Sequence, residues 1–127
     1  MTTEHNAQAL AYLGDAVLEL LFRETLLADS TRKIADVHNT VVTHTSASGQ
    51  TKLLAAIEPE LNEVEKAVVK RGRNATLSRK PRKEPLVVHR RASALEALFG
   101  HLYVNGEKAR IETLFKAMLE ALAEDGS

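Results

Sequence analysis

The chain has 127 residues, 44% of them hydrophobic, and no cysteine. That length supports one compact core and is too short for two, while the lack of cysteine excludes disulfides and thiolate metal sites. Seventeen Lys and Arg balance seventeen Asp and Glu, but residues 70–91 hold nine of the basic side chains against the single acid Glu84, so one cationic segment sits on an otherwise acidic body.

The N-terminus has no basic segment leading into an apolar run, and no stretch of about 18 apolar residues occurs anywhere. The expectation is one soluble cytoplasmic domain over residues 1–127 with no membrane span, in which Asn74-Ala75-Thr76 carries no glycosylation meaning. The first helix is expected from about His5 to Leu27. Leu10, Leu13, Val17 and Leu20 form a core stripe, widened by Tyr12, Ala16, Leu18, Leu21 and Phe22 until the helix is apolar on almost every side. Asp15 stands inside that helix. A buried carboxylate is costly to desolvate, so Asp15 should titrate, pair with a cation such as Arg23, or coordinate a metal.

Ser30 or Thr31 suits the N-cap of a second helix with Ile34, Val37 and Val41 at helical spacing. Ser46 to Gly49 reads as a bend before a helix containing Leu53, Leu54 and Ile57. Pro59 fits the first turn of the next helix, in which Leu61, Val64 and Val68 make the buried edge while Glu58, Glu60, Glu63 and Glu65 face water near the positive end of the dipole. That helix runs into a basic loop at about 70–91, where Gly72, Pro81 and Pro85 break the periodicity. Another helix starts near His89 to Ala92. Its segment Ala92 to Val104 is apolar nearly all round and carries one acid, Glu96, before Asn105-Gly106 closes it. The last helix shows Ile111, Leu114, Phe115, Met118, Leu119 and Leu122 on one face. Leu86-Val87-Val88 is the one short strand candidate and is too isolated to make a sheet, so the fold class is all-α with five to seven helices.

Two interior helices with one carboxylate each suggest a shared site. Glu96 could instead be an exposed acid on a misjudged face, and Glu19, one turn after Asp15, is either a third ligand or, as we favour, half of an ion pair. His38, His44, His89 and His101 lack zinc-site spacing and read as surface or packing residues. In the basic loop, Lys70, Arg71, Arg73, Asn74, Arg79, Lys80, Arg82 and Lys83, with Arg90 and Arg91 just ahead of the Glu96 helix, suit phosphate binding. No aromatic residue stands among them, which argues against single-strand binding by base stacking.

AYLGDAVLEL resembles the signature of the ribonuclease III catalytic domain, and ALEALFGHLY resembles that family's second acidic helix. The likeness is to the Mini-III ribonucleases, which consist of the catalytic domain alone: VVKRGRNA and HTSASGQTKLL are similar to their basic segment and the helix before it, and no double-stranded RNA-binding domain follows. The resemblance spans roughly Ala9 to Val104. It implies that Asp15 and Glu96 are the catalytic, metal-binding acids, with Ala11 and Ser93 at the two positions where full-length ribonuclease III carries further acids. It implies Mg²⁺, with Mn²⁺ as a substitute, held through one or two carboxylates and several waters, and supplying polarisation of the scissile phosphate and activation of a water. It also implies a homodimer cutting the two strands of an RNA duplex, with the 23S ribosomal RNA precursor as substrate. A catalytically silent double-stranded RNA-binding protein, and a helical dimerisation module whose basic loop meets an acidic protein, are the other readings.

Overall fold

The computed structural model describes residues 6–29, 31–75 and 85–124. Within them six α-helices follow one another: α1 (Ala7–Leu27), α2 (Ile34–Thr45), α3 (Ala47–Ile57), α4 (Glu63–Asn74), α5 (Leu86–Val104) and α6 (Lys108–Glu124), with a 3₁₀ turn at Glu58–Glu60 between α3 and α4. No strand occurs among the described residues, and no helix there is long and apolar enough to cross a membrane.

The hub is α5. It buries Ala92, Ala94, Leu95, Ala97, Leu98, Phe99, Gly100 and Leu102, as its sequence predicts, and α1, α3, α4 and α6 all pack against it. Burying each Leu or Phe contributes roughly 1.5–3 kcal/mol, so a helix covered on all sides is held by its neighbours rather than by its own propensity. The helix begins three residues before His89, and the Leu86-Val87-Val88 strand candidate forms its first turn. At its other end Gly106 adopts φ 72°, the Gly106 N–H donates to the Tyr103 carbonyl (3.0 Å) and the Glu107 N–H to the Leu102 carbonyl (2.9 Å), a Schellman closure that turns the chain into α6.

Local chemistry explains the other boundaries. Asn6 caps α1 by accepting from the Ala9 N–H (2.7 Å). Thr31 donates its hydroxyl and N–H to Asp29 instead of capping α2, whose N-cap is Lys33, and Ser30 lies outside the described residues. The expected bend at Ser46 to Gly49 shrinks to Ser46, which ends α2 and caps α3 by accepting from the Gly49 N–H (3.2 Å). Pro59 sits in the 3₁₀ turn, and α4 starts later, at a capping box in which Asn62 accepts from the Glu65 N–H (2.8 Å) and Glu65 from the Asn62 N–H (2.9 Å).

Two expectations about faces are corrected. Glu65 does not face water: it is 2% exposed, and Arg110 on α6 clamps it with Nε (2.7 Å) and Nη2 (2.9 Å) while also donating to the Glu60 carbonyl (2.7 Å). Arg110 holds the Glu65 carboxyl below the usual range. Val64 turns outward, and the buried edge of α4 is Leu61, Glu65, Val68, Val69 and Gly72. Likewise α1 is not buried all round; Leu10, Gly14, Val17, Leu18 and Phe22 face the core, whereas Tyr12 and Leu20 are exposed.

The closest approach of two helices is at the crossing of α1 and α5. A Cβ on Gly14 would run into the Glu96 carbonyl and lie 2.8 Å from the Gly100 nitrogen, and a Cβ on Gly100 would run into the Leu10 carbonyl. In most helix interiors Gly→Ala stabilises by about 1 kcal/mol. Here Gly14→Ala and Gly100→Ala should each destabilise by about 3 kcal/mol, because backbone must move to admit the methyl; urea unfolding of the two variants is the check, and stability at or above the wild-type value would refute the backbone crossing.

Candidate functional site

The glycine-lined crossing sets Asp15, the residue after Gly14, against Glu96, whose own carbonyl touches Gly14. Asp15 lies on the exposed side of α1 and Glu96 is half-buried beside it. Each carboxyl bears on the other's proton: the Glu96 side chain lowers Asp15, and the Asp15 charge and side chain raise Glu96. Burial is the largest cause pushing Glu96 up to about 7, opposed by a hydrogen bond from Gln50 and reinforced by the Asp15 charge. Asp15 is also raised, first by partial desolvation and then by the charge of Glu19, against the lowering effect of Glu96.

A polar chain extends away from this pair. Gln50 on α3 donates through Nε2 to Glu96 Oε2 (3.1 Å) and to the Thr45 carbonyl at the end of α2 (2.8 Å). The Thr45 hydroxyl donates to Glu19 Oε1 (3.2 Å), and Arg23 donates to Glu19 Oε2 (3.2 Å). Arg23 therefore pairs with Glu19 and leaves Asp15 alone, so Glu19 is the ion-pair partner favoured from the sequence. Among the described residues no group of three or more acids, histidines or cysteines is arranged to hold a metal. The donor set is two carboxylates that crowd each other's charge and share one proton, and a hard divalent cation that keeps most of its waters suits such a pair.

The cationic segment divides into helix ends. Lys70, Arg71, Arg73 and Asn74 belong to the last turns of α4, and Arg90 and Arg91 to the first turns of α5, so both ends of the expected loop over 70–91 are helical. Arg79, Lys80, Arg82 and Lys83 lie outside the described residues. Gly72 packs α4 against α5 at Ala94, Ala97 and Ser93, the last of these one turn before Glu96, and Gln8 on α1 donates to the Ala75 carbonyl (3.3 Å). The C-terminal end of α4 is thus packed on α5 beside Ser93, while Lys70 and Arg73 line a groove with Glu58, Leu61, Lys66 and Val69. Lys70, Arg71, Asn74 and Arg90 are exposed and Arg73 is half-exposed. Arg91 donates to Glu58 (2.7 Å), which ties α5 to the 3₁₀ turn.

Ala11 and Ser93, about one turn before Asp15 and Glu96, add no further acid to the pair. Gln50 and Thr45 escape the sequence reading, since one amide in a small polar stretch carries no periodic signal. The histidines stay apart: His44 stacks on Phe22 with ring centroids 5.2 Å apart and is pushed down by burial, and His38 lines a groove with Arg23, Leu27, Ile34, Val37 and Val41.

The described residues form an all-helical domain in which two carboxylates meet at a helix crossing and a cationic helix end packs on the same central helix. Residues 8–107 match the ribonuclease III domain. Mini-ribonuclease 3 of Desulfitobacterium hafniense is 38% identical over 96% of this chain and 77% of that protein, and Mini-ribonuclease 3 of Synechocystis is 42% identical over 84% and 73%. A crystal structure of a protein from Fusobacterium nucleatum superposes with a TM-score of 0.84 at 26% identity, covering 93% of this chain and 94% of that one. The chain belongs to the ribonuclease III family, and is accordingly an endoribonuclease, of a family that acts on RNA and is generally metal-dependent.

The Glu96 carboxyl, raised to about 7 from 4.5, binds its proton more tightly in the folded chain than in the unfolded one. Its stabilising contribution is complete below pH 4.5 and is lost as pH rises through 7. In chelator, Glu96→Gln should therefore melt about 4 °C or more above the wild type at pH 8, with the gap closing by about pH 5. Thermal unfolding at the two pH values decides it; a gap of equal size at both would contradict the raised carboxyl.

Proposed function

We propose that this single catalytic domain is a Mg²⁺-dependent endoribonuclease for double-stranded RNA, with Mn²⁺ as a substitute ion, that works as a homodimer on the 23S ribosomal RNA precursor. One observation carries the reading: Asp15 and Glu96 meet at the α1–α5 crossing. The relatives named Mini-ribonuclease 3 support the same substrate class.

Asp15 and Glu96 would hold the ion between them, giving up the proton they share. Mg²⁺ bound there supplies polarisation of the scissile phosphate and a water acidic enough to attack phosphorus near neutral pH. Asp15, on the open side, meets the strand from solvent, and the half-buried Glu96 supplies the anchored carboxylate. Lys70, Arg71, Arg73, Asn74 and Arg90 face the duplex, and they neutralise phosphates without reading bases, as recognition of A-form shape requires. Arg91, engaged by Glu58, positions the start of α5 and makes a smaller direct contribution to RNA. Exposed Leu20, Leu27 and Ile34 around the α1–α2 groove supply apolar surface of the kind that self-association covers.

The decisive experiment is incubation with a long duplex RNA, with and without Mg²⁺. The wild type should cut only with the ion, and Asp15→Asn and Glu96→Gln should each abolish cutting while still binding the duplex. Binding without any wild-type cutting would favour a catalytically silent RNA-binding protein, for which the neutral Ala11 and Ser93 would be the reason. In the same system, neutralising Arg71 and Arg73 together should weaken duplex binding and reduce the slope of log K against log salt by about two units. A slope equal to that of the wild type would remove both residues from the interface.

A further inference from the structure

We infer that Gln50 is a positioning residue for Glu96, fixing the acid's direction through a hydrogen bond from its amide. The inference rests on the reading of Asp15 and Glu96 as the acids of the site.

Gln50 is 1% exposed and lies on the buried face of α3 with Leu53, Leu54 and Ile57, a place where an apolar side chain is the ordinary occupant. Both hydrogens of Nε2 are engaged, one by the Thr45 carbonyl and one by Glu96 Oε2. Because both partners are acceptors, the amide has one satisfactory orientation, with nitrogen toward the acid. Its oxygen, Oε1, is buried and has no partner. An interior amide with an unmet carbonyl destabilises a fold relative to an apolar side chain of the same size. The contact that accounts for its presence is the one to Glu96.

A glutamate on a helix has three rotatable torsions, and its crossing with α1 fixes the backbone of residue 96, not the carboxyl at the far end. Gln50 fixes that end. It is itself braced by the last carbonyl-bearing turn of α2, and the Thr45 side chain carries the bracing on to Glu19 of α1. One oxygen of Glu96 is thus occupied by a fixed donor, and the carboxyl keeps its face toward Asp15. Hydrogen-bond partners of metal-binding carboxylates act in this way, and losing one lowers metal affinity or activity about 10- to 100-fold.

Gln50→Met tests it, since methionine matches the length and lacks the N–H. Calorimetric titration of the RNA-free protein with Mn²⁺ should show affinity reduced about 10-fold or more. On duplex RNA, kcat should fall while KM for the RNA stays unchanged. A folded Gln50→Met that binds Mn²⁺ and turns over like the wild type overturns the inference. Independently of any variant at position 50, the Gln50 side-chain amide resonances should move when Mg²⁺ is added to the wild type and stay fixed in Glu96→Gln; stationary resonances in the wild type overturn it too. Failure of the wild type itself to bind the ion and cut RNA would remove the reading of the site, and this inference with it, whereas an unaffected Gln50→Met removes this inference alone.

Discussion

The backbone-to-backbone crossing of α1 and α5 is the constraint on which the rest of the structure depends. Helices whose contacts carry side chains lie about 8–10 Å apart, a separation that holds two short acidic side chains away from each other. With no Cβ at Gly14 or Gly100, the Leu10 and Glu96 carbonyls come against the neighbouring helix. Asp15 and Glu96 can then share one proton. α3, α4 and α6 pack round α5 and keep that crossing from relaxing.

Two carboxyls brought this close oppose folding when both are charged. Burial, and then the Asp15 charge, push the Glu96 carboxyl up, and a nearby positive charge would relieve both. The molecule handles its other interior acid differently. Glu65 has a resident cation, Arg110, whose guanidinium meets both carboxylate oxygens and leaves nothing for a ligand to do. An acid with a permanent partner is a clamp between α4 and α6; an acid whose charge is left unmet is a site. The two glutamates therefore sit in opposite settings, one paired with a cation and one beside another acid.

Charge segregation along the chain acquires a spatial meaning in the same way. The end of α4 that carries Lys70, Arg71 and Arg73 is packed on α5, the helix that bears Glu96, by Gly72 at Ser93, Ala94 and Ala97. Arg91 marks the limit of reading function from charge alone, since Glu58 holds it in place as part of the scaffold.

Much of this was determined by the sequence itself. The α6 stripe, the all-round apolar character of α5, the absence of strands and the two acids in AYLGDAVLEL and ALEALFGHLY are local patterns, and local patterns survive without knowledge of the partners. Other features were decided by tertiary structure. Glu65 looked like a solvent-facing acid at a helix start because its partner stands 45 residues away on α6. Leu20 looked buried because periodicity gives a helix its apolar faces but not the neighbour that covers them, and nothing among the described residues buries Leu20. Gln50 gave no signal because a single amide has no period, and its importance arises only where α2, α3 and α5 meet. The helical ends of the basic segment were hidden by Gly72 and Pro85, which read as breakers in isolation but serve here as a packing point and as the N-cap position of α5. Periodicity records which residues avoid water; which charges meet, and which are left unmet, is settled by the packing of elements distant in the chain.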